Sequence, residues 1–534
     1  HLANLRGLIL PTKILLIRRH GPITRSLLRR TFILYVIVVI IGLIPYALNM
    51  SSSWQAFGLG LLFPGAGFLA LGWWGLLWTA VSLLLFALAF VAWFGSGMVI
   101  APIIVWLGTA LVAAVVAPDE HIWHHAHHIT GVFILFYFAR SFVKSKKKKR
   151  EQLALRDARN HYLPKAVAEV KERIESISNH DEKAELNKEQ LSALRYVFDL
   201  ALQDYGQFKG YDIIDQFQTS AIRYQINEAS NVLGNMQTIY TPSFHGYLNE
   251  ALTKLHKAYL HPKVWGYWRF ENAWGNFDFD ADPAKKDNIM LTGYYACDLS
   301  LYMKNTGDLR YSEKGSLEFK LNDKRVYRHD IHTLVGSIVE NFRTQKYLLY
   351  PCEPNWIYPA CNFRGMQALM MYDTLFGTNY IEEFRERFFI KLDQEFTEFS
   401  GSVISLRSNL TGFAIPFPVG EEAFIRIYNA LDRDRALRSW AIAREEKTFV
   451  EDGKRKIKLV GKGIDFGNYR PGHAAFLGLM LQSAAEMGDK EVYDAAFEAI
   501  SLHVEKKVEN GVVSFKASNV SNLVIIGGLI SRKD

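Results

Sequence analysis

From Thr31 to Pro118 the chain carries no Asp, Glu, Lys, Arg or His. A soluble helix of that length needs a polar face, whereas a bilayer-spanning helix needs about 20 mostly apolar residues. The run therefore predicts a membrane domain. Four spans are expected, over residues 31–48, 73–94, 98–117 and 125–143; the last opens on a histidine-rich turn. Between the first two, residues 57–71 contain Phe63-Pro64-Gly65-Ala66-Gly67, which interrupts a helix. A re-entrant or interfacial piece is expected there. Arg18, Arg19, Arg25, Arg29 and Arg30 precede the first span, and Lys144, Lys146, Lys147, Lys148, Lys149 and Arg150 follow the last. Basic flanks stay on the cytoplasmic side. Both ends are then inside, which demands an even number of spans. This predicts a multi-pass protein of a bacterial inner membrane with its large C-terminal part in the cytoplasm, where thiols stay reduced. The net charge of +8 is accounted for by these flanks and gives no reason to expect nucleic acid as a partner. The N-terminal tract is too basic and too distant from the first span to read as a cleaved signal peptide.

After the membrane, residues 151–190 are charged, with Ala166, Val170 and Ile174 at four-residue spacing, and read as a helical connector. Residues 191–534 form a mostly helical soluble domain. Val492, Ala496, Ile500 and Val504 make one apolar stripe, whereas residues 474–481 are apolar all round. A fully buried helix, a short turn at Gly488-Asp489 and an amphipathic helix imply two helical layers. Repeated about six times, that pattern gives an all-α (α/α)6 barrel. Residues 402–406 and 512–515 are expected to be short strands or extended loops.

Three cysteines serve the whole chain, and two of them, Cys352 and Cys361, lie nine positions apart in a segment stiffened by Pro351, Pro354 and Pro359. A disulfide, part of a metal site and a working pair of thiols all fit that placement. A reducing compartment weakens the first, and a C-x8-C spacing with no second pair weakens the second. Cys297 reads as a small buried hydrophobe. His121, His124, His125, His127 and His128 have helical spacings that could bind a metal, but a polar helix end explains them more simply. Carboxylates, tyrosines and aromatic faces gather in four segments, around Asp199 and Tyr205, around Tyr224, from Val264 to Tyr294, and around the two thiols. That inventory suits acid/base chemistry on an apolar molecule with one polar handle. No phosphate-binding glycine loop accompanies it.

These segments resemble the linalool dehydratase/isomerase family. The matching elements are Cys352-Glu353-Pro354, Cys361-Asn362 at the same spacing, Tyr372-Asp373 with Gly377-Thr378 and Tyr380, the run Val264-Trp265-Gly266 with Trp268, Asp282-Pro283, Asn288-Ile289-Met290, and Glu486-Met487-Gly488-Asp489. They fall in the same order over residues 190–510. The resemblance implies an (α/α)6 barrel, often a homo-oligomer and in some cases a pentamer, that works without a cofactor or a metal. It implies interconversion of linalool and geraniol and dehydration of linalool to myrcene. By motif, Asp199 and Tyr205 would be acid/base residues, Cys352 and Cys361 the thiol pair, and Glu353 a support for the first thiol. Tyr224 and Met290 would line the pocket.

Two departures matter. Tyr294 stands where the family has a histidine, and the appended membrane domain is similar to that of membrane-bound linalool isomerases. Tyrosine is a poor base at neutral pH, with an ordinary pKa of about 10. The expectation is therefore hydroxyl transposition on a small lipophilic allylic alcohol, with dehydration as the alternative. Trp265, Trp268 and Tyr224 would face the allylic cation, and Tyr294 would border the substrate. A membrane-tethered barrel that binds a lipid or glycan is the non-enzymatic alternative. Paired thiols argue against a sugar hydrolase, which needs paired carboxylates.

Overall fold

The computed structural model describes residues 20–177, 185–415 and 420–531. Arg18 and Arg19 of the expected basic flank lie outside these. The apolar region folds into α1 (Pro22–Ala47), α2 (Ser52–Leu62), a 3-10 turn (Ala66–Leu71), α3 (Trp73–Ser96), α4 (Ile100–Val115) and the first part of α5 (Ala126–Ile177). Helices α1, α3 and α5 are long and apolar enough to cross a membrane. The expected third span is shorter than its apolar run. At 16 residues α4 reaches about 24 Å, against about 30 Å of hydrocarbon. Helix α2 packs against α1 and α4, and the broken backbone after it is buried among them. Irregular backbone at membrane depth is tolerated where protein covers it. Gly65 takes a φ of +83° in that break. Of the histidines, His124 meets His125 with ring centroids 3.7 Å apart and planes tilted by 46°, and His127 packs at a tilt on Tyr46. Among the described residues no three His, Cys, Asp or Glu side chains converge as a metal site.

Helix α5 runs 52 residues without interruption from the apolar region into the basic and charged stretch. The soluble part follows with α6 (Lys188–Ala201), α7 (Ile222–Tyr240), α8 (Gly246–Tyr259), α9 (Pro262–Trp265), α10 (Trp268–Gly275) and α11 (Ile289–Thr306). A hairpin of β1 (Leu317–Asn322) and β2 (Arg325–His329) leads to α12 (Ile331–Thr344). Then come β3 (Trp356–Ile357), α13 (Pro359–Phe376), α14 (Tyr380–Glu395), β4 (Leu406–Ser408), β5 (Ala414–Ile415), α15 (Ile425–Leu431) and α16 (Arg433–Lys447). The chain ends with β6 (Thr448–Glu451), β7 (Lys454–Ile457), α17 (Ala474–Glu486), α18 (Lys490–His503), β8 (Lys506–Glu509), β9 (Val512–Phe515) and α19 (Asn519–Ile530).

Helices α7, α11, α13, α15, α17 and α19 pack each on the next, and α19 closes the ring on α7. Helices α6, α8, α12, α14, α16 and α18 alternate with them along the chain and form the outer layer. This is the (α/α)6 barrel that the periodicity implies. Helix α17 is buried almost throughout, as an inner helix must be, while α18 buries Val492, Ala496 and Ile500 on one face. The expected extended segments resolve differently. Residues 512–515 are strand β9, paired with β8, whereas residues 402–406 contribute a single bridge, Val403 to Thr397, and the first residue of β4, Leu406.

Three ends of the membrane helices meet the barrel. At the start of α1 the N–H groups of Ile23 and Thr24 donate to the Glu395 carboxylate at 3.1 and 3.0 Å. A carboxylate suits the positive end of a helix. Lys148 pairs with Glu398 at 2.7 Å, and Arg159 of α5 pairs with Glu446 at 2.7 Å. The third junction, at the end of α3, touches the cavity described next.

Candidate active site

The ring of inner helices encloses a cavity of about 410 Å³. That volume falls within the range of about 300–1,000 Å³ usual for small-molecule pockets. Its wall includes Gln218, Tyr224, Glu228, Tyr294, Glu353, Tyr358, Cys361 and Arg364, with apolar surface from Phe424, Ile427, Leu479 and Val524.

Local sequence explains how the thiol segment is held. Trp356 N–H donates to Glu353 O at 3.0 Å, with Pro354 next and Asn355 at φ +73°. Proline at the second position and a positive φ at the third are the type II turn pattern. The turn returns the chain as β3, which pairs with β4, Trp356 opposite Ser408. Pro359 then opens α13 at its first position, where a missing N–H costs nothing. Cys361 therefore sits in the first turn of an 18-residue helix. Free N–H groups and the helix dipole favour a thiolate there. The next residue, Asn362, is fully buried. It accepts from Tyr350 N–H at 2.9 Å and donates to the carbonyls of Tyr350 and Tyr358 at 3.0 and 2.9 Å. That side chain fastens both ends of the thiol segment to α13.

All three cysteines are free thiols, which sets the disulfide alternative aside. Cys352 donates its S–H to Cys361, and the hydroxyls of Tyr294 and Tyr224 donate to Cys361 as well. The Cys352 hydrogen bond holds Cys361 below the usual thiol range, against the effect of burial and with help from the Arg223 charge and the two hydroxyls. Burial pushes Cys352 up, reinforced by its neighbour Cys361. Burial and then the adjacent Cys361 raise Tyr224 and Tyr294 well above 10, so both remain hydroxyl donors. Their rings meet edge to face at 5.1 Å. The remaining thiol, Cys297, donates to the Arg364 carbonyl at 3.2 Å, and burial pushes it up to about 12.

Arg223 is the fixed cation behind this wall. Its guanidinium donates to the carbonyls of Gln216 and Phe217 at 2.6 and 2.9 Å and lies over the rings of Tyr224 and Tyr267. Two carboxyls share its surroundings. Burial raises both Glu353 and Glu271 well above the usual carboxylate range, and Arg223 offsets only part of that. Neither oxygen of Glu271 nor Oε2 of Glu353 has a partner among the described residues. Burial thus disfavours the charged form of both carboxyls, whereas Cys361, with three donors beside it, is the group whose charged form its neighbours favour.

The structure brings together Tyr224, Tyr294, Glu353, Cys352 and Cys361, all from the sequence-derived site. It does not bring in the others. Asp199 is exposed on α6, and Tyr205, 51% exposed, borders a separate groove with Asp204 and Phe208. An outer-layer helix cannot present side chains to the interior of its own barrel. Trp265 and Trp268 are buried in the core but do not line the cavity; Trp265 donates to Leu260 O and packs on Phe319. Met290 is buried behind the wall, its sulfur 3.1 Å from Arg223 Nη2. Four of these polar wall residues carry no sequence motif, Gln218, Glu228, Tyr358 and Arg364. Arg364 was within reach of helical spacing, since it follows Cys361 by three positions and so shares its face of α13. It approaches Glu228 at 3.4 Å, and Glu228 in turn stands four positions after Tyr224 on α7.

Among solved structures the chain is similar to the α-1,6-mannanase GH76A of Salegentibacter sp. HEL1_6, at 11% identity and a TM-score of 0.39, covering 64% of this chain and 97% of the other. It is also similar to the unsaturated glucuronyl hydrolase of Streptococcus agalactiae, at 10% identity and a TM-score of 0.37, covering 65% and 93%. The family profile described as Linalool dehydratase/isomerase matches residues 223–521, more than half of the chain. That stretch contains every residue of the thiol cluster and excludes Asp199 and Tyr205. The chain belongs to the linalool dehydratase/isomerase family.

Proposed function

We propose that this protein is a membrane-tethered isomerase that moves the hydroxyl of an allylic monoterpene alcohol between its tertiary and primary positions, as in linalool and geraniol. The observation that carries the reading is the cavity wall itself. A buried carboxyl held above its usual range and a thiol with three hydrogen-bond donors border one largely apolar pocket, with the Arg223 guanidinium behind them.

Glu353 protonates the substrate hydroxyl, the C–O bond breaks with its electron pair, and water leaves. The positive charge spreads over three allylic carbons. The Cys361 thiolate, kept as an anion by Cys352, Tyr224 and Tyr294, faces that charge and stabilises it. Water adds at the other terminus, and its surplus proton returns to Glu353. Atoms and charge balance without a cofactor. Tyr294 acts here as a donor to sulfur and not as a base, which favours return of water over loss of a carbon-bound proton. The same thiolate is a base in its own right, so myrcene formation is the second reading.

The homo-oligomer and the cytoplasmic placement of the barrel belong to the same proposal. The basic flanks Arg25 to Arg30 and Lys144 to Arg150 adjoin helix ends that contact the barrel, in keeping with a barrel on the positive-inside face. Asp199 and Tyr205, exposed on the outer layer, reach a cavity only if a second copy receives them.

The test is product analysis. Membranes containing the protein are incubated with linalool and, separately, with geraniol under anaerobic reducing conditions, and the products are separated by gas chromatography. Geraniol from linalool, and the reverse, with little myrcene is the expected result. Abundant myrcene replaces the isomerase by a dehydratase. No conversion of either alcohol removes the reading.

A further inference from the structure

The last turn of α3 ends against the cavity wall. Carbonyl groups at a helix C-terminus have no partner within the helix, and three in a row here are taken by the barrel. Tyr358 OH donates to Phe94 O at 3.1 Å, Gln218 Nε2 donates to Gly95 O at 2.7 Å, and Trp274 Nε1 donates to Ser96 O at 2.7 Å. Around them Trp93 packs on Trp356 with ring centroids 4.9 Å apart, and Phe90 and Phe94 meet the same indole. The fit is tight. A Cβ on Gly97 would meet Pro354 Cδ at 2.5 Å, and one on Gly275 would collide with Pro354 and with the carbonyl of Gly97.

One of these contacts has a directional result. A carbonyl oxygen only accepts, so Gly95 O forces the amide of Gln218 to turn its NH2 toward α3. The same NH2 lies 3.4 Å from Glu353 Oε1. That oxygen must then accept. A neutral Glu353 carries its proton on Oε2, the oxygen with no partner among the described residues. Had the amide been free to flip, its carbonyl would have drawn the Glu353 proton to itself and away from the cavity.

We infer that Gln218 is a positioning residue for the acid Glu353, and that the C-terminal end of α3 sets its orientation, so that the helical hairpin of α3 and α4 is a working part of the active site. The inference rests on the role of Glu353 proposed above. Gln218 never contacts the reacting carbons in this scheme; it decides which carboxyl oxygen bears the proton. The apolar helix that enters the bilayer is thereby linked through two hydrogen bonds to the group that begins the reaction.

The experiment uses the full-length protein in membranes or detergent, with gas-chromatographic rates across pH. Glu353 is needed protonated, so activity falls as pH rises through its pKa. Gln218→Met keeps the length of the side chain and removes the donor. A lost donor leaves the carboxylate less stabilised, so the alkaline limb moves to higher pH, kcat falls by about 10- to 100-fold, and KM changes little. Gly97→Ala displaces the hairpin from Pro354 and is expected to give the same limb shift, with no further loss when combined with Gln218→Met. If Gly97→Ala fails to fold, judged by thermal unfolding, Trp274→Phe loosens the same junction more mildly and takes its place. Loss of rate without a limb shift would mean a merely structural role and overturns the inference. Wild-type kcat in Gln218→Met overturns it as well. Glu353→Gln separates the two levels. If it is inactive while Gln218→Met is normal, only this inference fails; if it is active, the proposed acid fails and this inference with it.

Discussion

Replacing Tyr294 by phenylalanine removes one hydroxyl from the thiol cluster and leaves its ring against Tyr224, 5.1 Å away. The hydroxyl donates to Cys361, one of three donors that hold this thiol below its usual range. A hydrogen bond to a charged group contributes about 1.5–3 kcal/mol, and one pKa unit corresponds to about 1.4 kcal/mol. The loss is therefore worth about one to two units, and the lower end applies because Cys352, Tyr224 and Arg223 remain. The sign follows from the role. Cys361 is required as the anion, which is present above its pKa and lost as pH falls. Raising that pKa moves the acid limb of the rate profile upward by about one unit. On the acid side of the limb the rate of linalool conversion in Tyr294→Phe should fall roughly tenfold, and it should return as pH rises past the shifted limb. Gas-chromatographic initial rates over a pH series measure this directly. A uniform loss at every pH, or a limb that does not move, would refute a thiolate at Cys361.

Three further outcomes follow from the same geometry. Cys361→Ala and Cys352→Ala should each reduce turnover by about 100- to 10,000-fold in protein that still unfolds cooperatively, and full activity in either removes the thiol pair from the chemistry. Tyr294→His places a base of pKa about 6.5 where Tyr294 only donates; the expected result is a rise in the share of myrcene among the products, seen in the same chromatograms. Asn362→Ala strips partners from the buried amide of Tyr350 and from two carbonyls. It should cost about 2–4 kcal/mol in denaturant unfolding, before any effect on rate is considered.

The membrane domain and the barrel were legible because both rest on long-range repetition. A charge-free run and an alternation of wholly buried with one-sided helices survive local irregularity, so α17 and α18 fell where their patterns put them. The length of α4 was less legible. Hydropathy reported apolar residues 98–117, while Val116 and the residues after it leave the helix, ending it at 16 residues. Within the site, the thiols, Glu353, Tyr224 and Tyr294 were readable from motif; the cavity wall collects all but Cys352, which lies behind Cys361. Asp199 and Tyr205 were placed by motif alone, with nothing in the periodicity to say that α6 is an outer helix. Only the ring closure of α19 on α7 decides which layer α6 occupies. Trp265 and Trp268 illustrate the ordinary fate of large aromatics, since burial of an indole in a core needs no ligand to explain it.

Gln218 marks the limit of what a sequence can convey here. Its amide gains a direction from Gly95, 123 positions earlier in the chain, on a helix whose sequence shows only apolar character. Nothing in either segment taken alone marks them as partners. The information is created when α3 ends at Gly97, whose φ of +68° stops the helix and turns its free carbonyls toward the barrel. A positive φ favours glycine at that point, and contact with Pro354 forbids anything larger. One residue thus ends the membrane helix, seats it on the turn that carries Glu353, and leaves the carbonyl of Gly95 to orient the amide beside the acid. A hairpin serving as an anchor alone would need none of these three coincidences.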